Sequence, residues 1–147
     1  RSDQTLEFDY ARVTEKSREN PVFYVQYAHA RASSVLRQAA GQPVTSIATG
    51  RLVDIHEVRV IRQLASFPQV VKSATLSHEP HRIAFYLIDL ASLFHGLWNA
   101  GRDNSDLRFI FDNDDELTGA RLALISATRG VISQGLSLMG ITALEEM

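Results

Sequence analysis

The sequence predicts an all-α protein, a bundle of about five helices with two long antiparallel members. Three observations carry that expectation. Alternation of apolar and polar residues is nowhere sustained, so no strand is written into the chain. Two stretches, 80–100 and 115–139, hold apolar residues at helical spacing over many turns. Helix-start and helix-stop residues punctuate the rest.

The first helix is expected from Pro21 to Gln38 or Ala40. Asn20 is its cap, Pro21 occupies the first helical position, and Gly41 with Pro43 stops it. Within it Tyr24, Tyr27 and Arg31 recur at i, i+3 and i+7 and share one face. Phe23, Val35 and Leu36 provide apolar contacts elsewhere. Residues 41–53 read as a loop. Asp54 with Glu57 three residues later forms a near capping box for a second helix, whose stripe is Val58, Ile61, Leu64 and Ala65. Pro68 is expected to end that helix at Phe67. A short third helix then spans Gln69 to Leu76, with Val70, Val71, Ala74 and Leu76 inward.

Ser77 to Pro80 read as a turn, with Ser77 or His78 capping the next helix. This fourth helix, Pro80 to Ala100, is the strongest pattern in the chain. Ile83, Leu87, Leu90, Phe94 and Leu97 form its core stripe, and Gly101 ends it. An acidic segment, 102–115, interrupts the helices and carries the apolar patch Phe109-Ile110-Phe111. Asp115 caps a fifth helix running to about Met139. There Leu117, Leu124, Val131 and Leu138 repeat every seven residues, and Leu122, Ile125, Ile132 and Leu136 widen the arc. So wide an arc implies a nearly central helix, stopped by Gly140 at C′. Residues 1–19 are polar with few apolar anchors and read as a connector.

Composition narrows the function classes. The 147 residues suit one domain with a linker. There is no cysteine, hence no disulfide framework and no thiolate metal site, which fits a cytoplasmic chain. The sequence shows no apolar run long enough to span a membrane and no signal-peptide pattern. It opens on Arg1, which suggests a piece of a longer chain. Net charge is −2. Residues 103–116 set six acids against Arg108, a net −5, so the remainder carries +3. Of 15 basic residues only Lys16 and Lys72 are lysine. Arginine gives planar, bidentate contacts suited to phosphate and bases. His78 and His81 have ligand-like spacing but no carboxylate motif besides Glu79, so no metal site is expected. His29 reads as a hydrogen-bonding histidine of the interior. No Ser/His/Asp arrangement or Gly-rich phosphate loop is recognisable.

Three stretches carry a resemblance. NPVFYVQYAHAR (20–31) resembles the opening of the C-terminal domain of class I arginyl-tRNA synthetases, the helical DALR-type anticodon-binding domain. EPHRIAFYLIDLASLFHGLWN (79–99) resembles that family's EPHRLAxYLxxLAxxFHxxYN helix. ELTGARLALISATRGVISQGLSLMGI (116–141) resembles its last helix, with ARLAL and GLxLLGI signatures. The order matches, and together they cover most of residues 20–147.

The resemblance implies a helical anticodon-binding domain over 20–147, with 1–19 linking it to a catalytic domain. The HIGH and KMSKS signatures are absent, so the chain holds no catalytic residues and no cofactor site. The parent enzyme is implied to attach arginine to tRNA using ATP with magnesium. The implied partners are arginine tRNA and the enzyme's own catalytic domain, in a monomer. The positions implied to meet the anticodon arm are Tyr24, Tyr27, Arg31, Trp98, Phe94 and Met147. Where many members end APERM, this chain reads ALEEM, with Leu144 for Pro and Glu146 for a base. The acidic segment 102–115 is expected to lie away from RNA. From the residues alone, a helical module docking a protein through exposed aromatics is the alternative.

Overall fold

The computed structural model describes residues 20–40 and 48–147. Four α-helices run through them: α1 (Pro21–Gln38), α2 (Ile55–Ser77), α3 (His81–Asp103) and α4 (Asp115–Leu138). Two 3-10 turns, Thr49–Arg51 and Ser105–Leu107, lie in the connections. The described residues contain no strand. The connector expected over 1–19 and the Gly41 stop fall outside them.

The count is four rather than five because Pro68 does not break α2, which continues to Ser77. Proline deprives the Leu64 carbonyl of its helical donor and disfavours the helix by about 3 kcal/mol. Burial outweighs that cost. Glu57, Val60, Leu64, Phe67, Val71 and Ala74 form one unbroken 3-4-3-4-3 seam across the proline, while Pro68 faces outward. Val60, Phe67 and Ala74 are buried. The expected stripes were rotated from this seam: Ile61 is 37% exposed and Leu76 73%. Three long helices therefore replace the expected two.

Start and stop signals were mostly where the residues placed them. Asn20 Oδ1 accepts the Val22 amide at 3.1 Å, and Asp54 with Glu57 forms a complete capping box. The cap of α4 is Asp114, one residue earlier than expected, accepting from the Leu117 amide at 3.1 Å. The Arg51 guanidinium grips the same carboxylate, with Nη2 to Oδ2 at 2.7 Å. That cation and the Leu117 amide hold the Asp114 carboxyl below its usual range. His78 closes α2 in a left-handed conformation (φ 56°) rather than capping α3, whose N-cap residue is Pro80 and makes no side-chain capping bond. Gly140 (φ 72°) does stop α4, with the Ile141 amide bonded to the Leu136 carbonyl at 2.9 Å.

Gly101 was expected to end α3, yet the helix continues to Asp103. The glycine instead permits close approach. A Cβ there would lie 2.6 Å from the Leu107 carbonyl oxygen, so the segment after α3 folds directly onto the helix backbone. That segment docks through its apolar patch. The Phe111 amide donates to Thr118 Oγ1 at 2.9 Å, and Phe109 and Ile110 pack on the core.

Helices α3 and α4 form the centre, and each contacts all three others. They run antiparallel: Ala84 and Leu87 near the start of α3 lie beside Leu136 and Met139 at the end of α4. Helices α1 and α2 flank this pair without meeting each other. The stripe Ile83, Leu87, Leu90, Phe94 and Leu97 is buried throughout. On α4 the wider arc of Leu122, Ile125, Ile132 and Leu136 is core, whereas Leu138 of the seven-residue line is 58% exposed. Contrary to the expectation that no apolar run is long enough to span a membrane, α3 is apolar enough to do so by length and mean hydropathy (1.2 over an 18-residue window). Here its apolar surface is spent on three neighbouring helices.

One buried ion pair ties these parts together. Arg121 Nε donates to Glu57 Oε1 at 2.7 Å, with side-chain exposures of 6% and 1%. Glu57 Oε2 accepts the Asp54 amide at 3.1 Å. Arg121 Nη1 donates to the carbonyls of Asp106 (2.9 Å) and Arg108 (2.6 Å), and its guanidinium lies 5.3 Å from the Phe111 ring centroid.

This packing has two consequences for stability. Pro68→Ala should stabilise the chain by about 1–3 kcal/mol in urea unfolding, because the helix is already continuous. Arg121→Met should destabilise it by about 3–5 kcal/mol, leaving Glu57 buried and unpaired. Adding Glu57→Leu should recover part of that loss.

Candidate functional site

The i, i+3, i+7 face of α1 meets a matching face of α3. Tyr24, Tyr27 and Arg31 are half-buried, and opposite them stand His95 and Trp98. Small residues of α1, Ala28, Ala30, Ala32 and Ser33, are also buried. Arg31 Nη2 donates to the Tyr27 hydroxyl at 2.9 Å. Its Cζ lies 4.2 Å from the Tyr27 ring centroid and 4.9 Å from that of Trp98. The guanidinium thus lies within cation–π range of two rings.

His95 is the hub of this cluster. Its ring lies 4.7 Å from Tyr24 and 5.6 Å from Tyr27, centroid to centroid. Arg31 Nη1 approaches His95 Nδ1 at 3.2 Å, and His95 Nε2 approaches the Tyr24 carbonyl at 3.4 Å. A guanidinium can only donate and a carbonyl can only accept. The partners therefore assign the proton to Nε2 and a lone pair to Nδ1.

Of the residues expected to meet RNA, the fold brings Tyr24, Tyr27, Arg31 and Trp98 together. Phe94 is different. It has no exposed surface and lies behind Trp98, with ring centroids 6.4 Å apart, so it supports the platform and cannot touch a ligand directly. Its place in the α3 core stripe is the reason.

Met147, 48% exposed, belongs to a tail held on another face of α1. Gln26 Nε2 donates to the Thr142 carbonyl at 2.7 Å, and Gln26 Oε1 accepts the Leu144 amide at 2.8 Å. His29 Nδ1 donates to the Leu144 carbonyl at 2.7 Å. A proline at 144 would have no amide to offer Gln26, so Leu144 adds a bond to this clamp. Glu146 sits 3.7 Å from Arg37, which offsets its charge.

Two residues of the site were missed at the sequence level. His95 was passed over, although it stands one turn before Trp98. Phe109 belongs to the segment expected to lie away from the site, yet its ring is 5.9 Å from Trp98. The acidic segment thus borders the aromatic face. No periodicity marks such a contact, because it depends on how a non-helical segment folds back. No three His, Asp or Glu side chains among the described residues converge as metal ligands would.

The arrangement is a half-buried platform of π faces around a fixed cation. It offers stacking surfaces and a phosphate-binding charge. The two histidines of α1 and α3 provide a direct check on these contacts. Long-range ¹⁵N–¹H NMR at neutral pH should find His95 protonated on Nε2 and His29 on Nδ1; equal tautomers would refute the hydrogen bonding described.

Comparison with known proteins identifies the family and the fold. The family described as the DALR anticodon binding domain matches residues 25–147. The chain is 52% identical to an arginine–tRNA ligase of Rhizobium meliloti, over all of this chain and 26% of that protein. It is 53% identical to one of Xanthobacter autotrophicus, over all of this chain and 27% of that protein. The solved arginyl-tRNA synthetase of Thermus thermophilus superposes with a TM-score of 0.73 at 31% identity, covering 95% of this chain and 23% of that one. The chain spans about a quarter of the length of the curated relatives it matches. With a family match over most of its length and a matching fold, the chain belongs to the DALR anticodon binding domain family.

Proposed function

We propose that this chain recognises the anticodon arm of arginine tRNA as a domain of an arginine–tRNA ligase. The observation that carries the reading is Arg31, held within 5 Å of two aromatic centroids on a half-buried face. Unstacked bases bind aromatic faces, and a fixed guanidinium grips the adjoining phosphate. Tyr24, Tyr27, Arg31 and Trp98 are the contacts, Phe94 backs Trp98, and Met147 contributes from the tail. The domain performs binding and no chemistry. Its parent uses ATP with magnesium to attach arginine, on a catalytic domain that is its second partner. The parent acts in the cytoplasm, as a monomer.

Binding to arginine tRNA, measured by fluorescence anisotropy at two salt concentrations, tests the proposal. Affinity should fall steeply with salt and on changing anticodon bases. Tyr27→Ala or Trp98→Ala should weaken it by about 1–3 kcal/mol per lost stacking contact. Salt-insensitive binding that ignores both substitutions would favour a protein-docking face instead.

A further inference from the structure

Arg31 is held differently from the arginines that form ion pairs. Arg37, Arg51, Arg82, Arg102 and Arg121 are each paired with a carboxylate. Among the described residues the partners of Arg31 are the Tyr27 hydroxyl, His95 Nδ1 and the faces of the Tyr27 and Trp98 rings. A carboxylate would orient the guanidinium and cancel its charge together. A hydroxyl and an imidazole lone pair orient it and leave the charge in place for an anion. Of these partners the imidazole is the one whose ordinary titration falls between about pH 5 and pH 8.

We propose that His95 is the positioning residue of the RNA-binding cation, and that protonating it releases Arg31 and weakens RNA binding. Neutral His95 turns its Nδ1 lone pair towards Arg31, whereas the imidazolium turns an N–H there. This inference rests on the RNA-binding reading of the Arg31 cluster and adds the group that sets the cation's place and makes it depend on pH.

Three features support the assignment. First, His95 Nε2 already faces the Tyr24 carbonyl at 3.4 Å, which takes the proton of the neutral ring. A second proton therefore goes to Nδ1, 3.2 Å from Arg31 Nη1, where two donors of like charge meet with no acceptor between them. Second, the ring is the less movable partner. His95 is 7% exposed and packed against Tyr24, Tyr27 and Phe94, with centroids 4.7, 5.6 and 6.0 Å away. Arg31 is only half-buried and has a long side chain, so it is the guanidinium that moves. Third, the charged and titratable groups facing the ring among the described residues are Tyr24, Tyr27 and Arg31 of α1, with Arg102 two turns further along the same face of α3. A charge on His95 thus adds to a cation already in place. The sign is diagnostic. Extra positive charge beside RNA ordinarily tightens binding, whereas here acid should loosen it.

The test uses the 147-residue chain and has one arm without RNA. Trp98 is the one tryptophan of the sequence and lies 4.9 Å from the Arg31 guanidinium carbon, so its fluorescence reports that contact. Between about pH 8 and about pH 5.5 the wild-type emission should change through one histidine-like titration. His95→Asn and Arg31→Gln should each remove that change. The second arm measures anisotropy of a hairpin RNA carrying the anticodon stem and loop of an arginine tRNA over the same pH range. Wild-type affinity should fall roughly tenfold on acidification, the loss of one hydrogen bond to a charged group. His95→Gln, whose amide nitrogen replaces Nε2 and leaves no acceptor at Nδ1, should bind roughly tenfold more weakly than wild type already at the alkaline end. His95→Asn, whose Oδ1 takes the place of Nδ1 and does not titrate, should recover most of that affinity and hold it in acid. Circular dichroism confirms that each variant is folded, and the two wild-type titrations decide the matter if one is not. Wild-type emission that is flat with pH, or a titration that persists unchanged in Arg31→Gln, overturns the inference. So does RNA affinity that rises or stays level in acid, or equal affinity of His95→Gln and His95→Asn. A chain whose emission titrates as expected but which does not bind the hairpin overturns the proposed function, and supports the control of Arg31 by His95.

Discussion

The Glu57–Arg121 pair is the constraint on which the rest of the structure depends. Two charges with almost no solvent access are stable together only if their remaining hydrogen-bonding capacity is filled. Here it is filled from several directions. Glu57 closes the capping box of α2, and Arg121 donates to two carbonyls of the segment after α3. The pair therefore contributes geometry more than stability. It sets where α2 begins against α4 and holds the acidic segment in one path across the end of the bundle.

That path reaches the candidate site. With the Arg108 carbonyl pinned and Leu107 seated on Gly101, Phe109 is delivered against Trp98. Trp98 in turn borders Arg31, which His95 and Tyr27 hold from the other side. Each contact in this series limits the freedom of the next. Side chains held by such contacts would have less ordering entropy to lose on binding a ligand. The tail is organised separately: Gln26 and His29, both buried, use side-chain groups to hold main-chain atoms of 142 and 144.

Much of the fold was legible from spacing. The α3 stripe, the Asn20 and Asp54 caps and the Gly140 stop all depend on short-range geometry, which neighbouring residues fully specify. The site was legible in part for the same reason. Tyr24, Tyr27 and Arg31 share a face because any α-helix places i, i+3 and i+7 together. The errors have a common origin. Pro68 looked like a boundary because its local cost was visible and the seam from Glu57 to Ala74 was not. The seam begins with a buried carboxylate, which a search for apolar residues passes over.

The sequence by itself determined that the chain is helical, where most helices start and stop, and which aromatic and basic residues share a face. These follow from hydrogen bonds and sterics within a few residues. Only the tertiary structure decided that α2 runs through its proline, that Phe94 is enclosed while Trp98 is reachable, and that His95 and Phe109 complete the site. Those outcomes depend on which surfaces meet across the bundle. Burial there can outweigh a local penalty of about 3 kcal/mol, and no stretch of sequence contains both sides of such a contact.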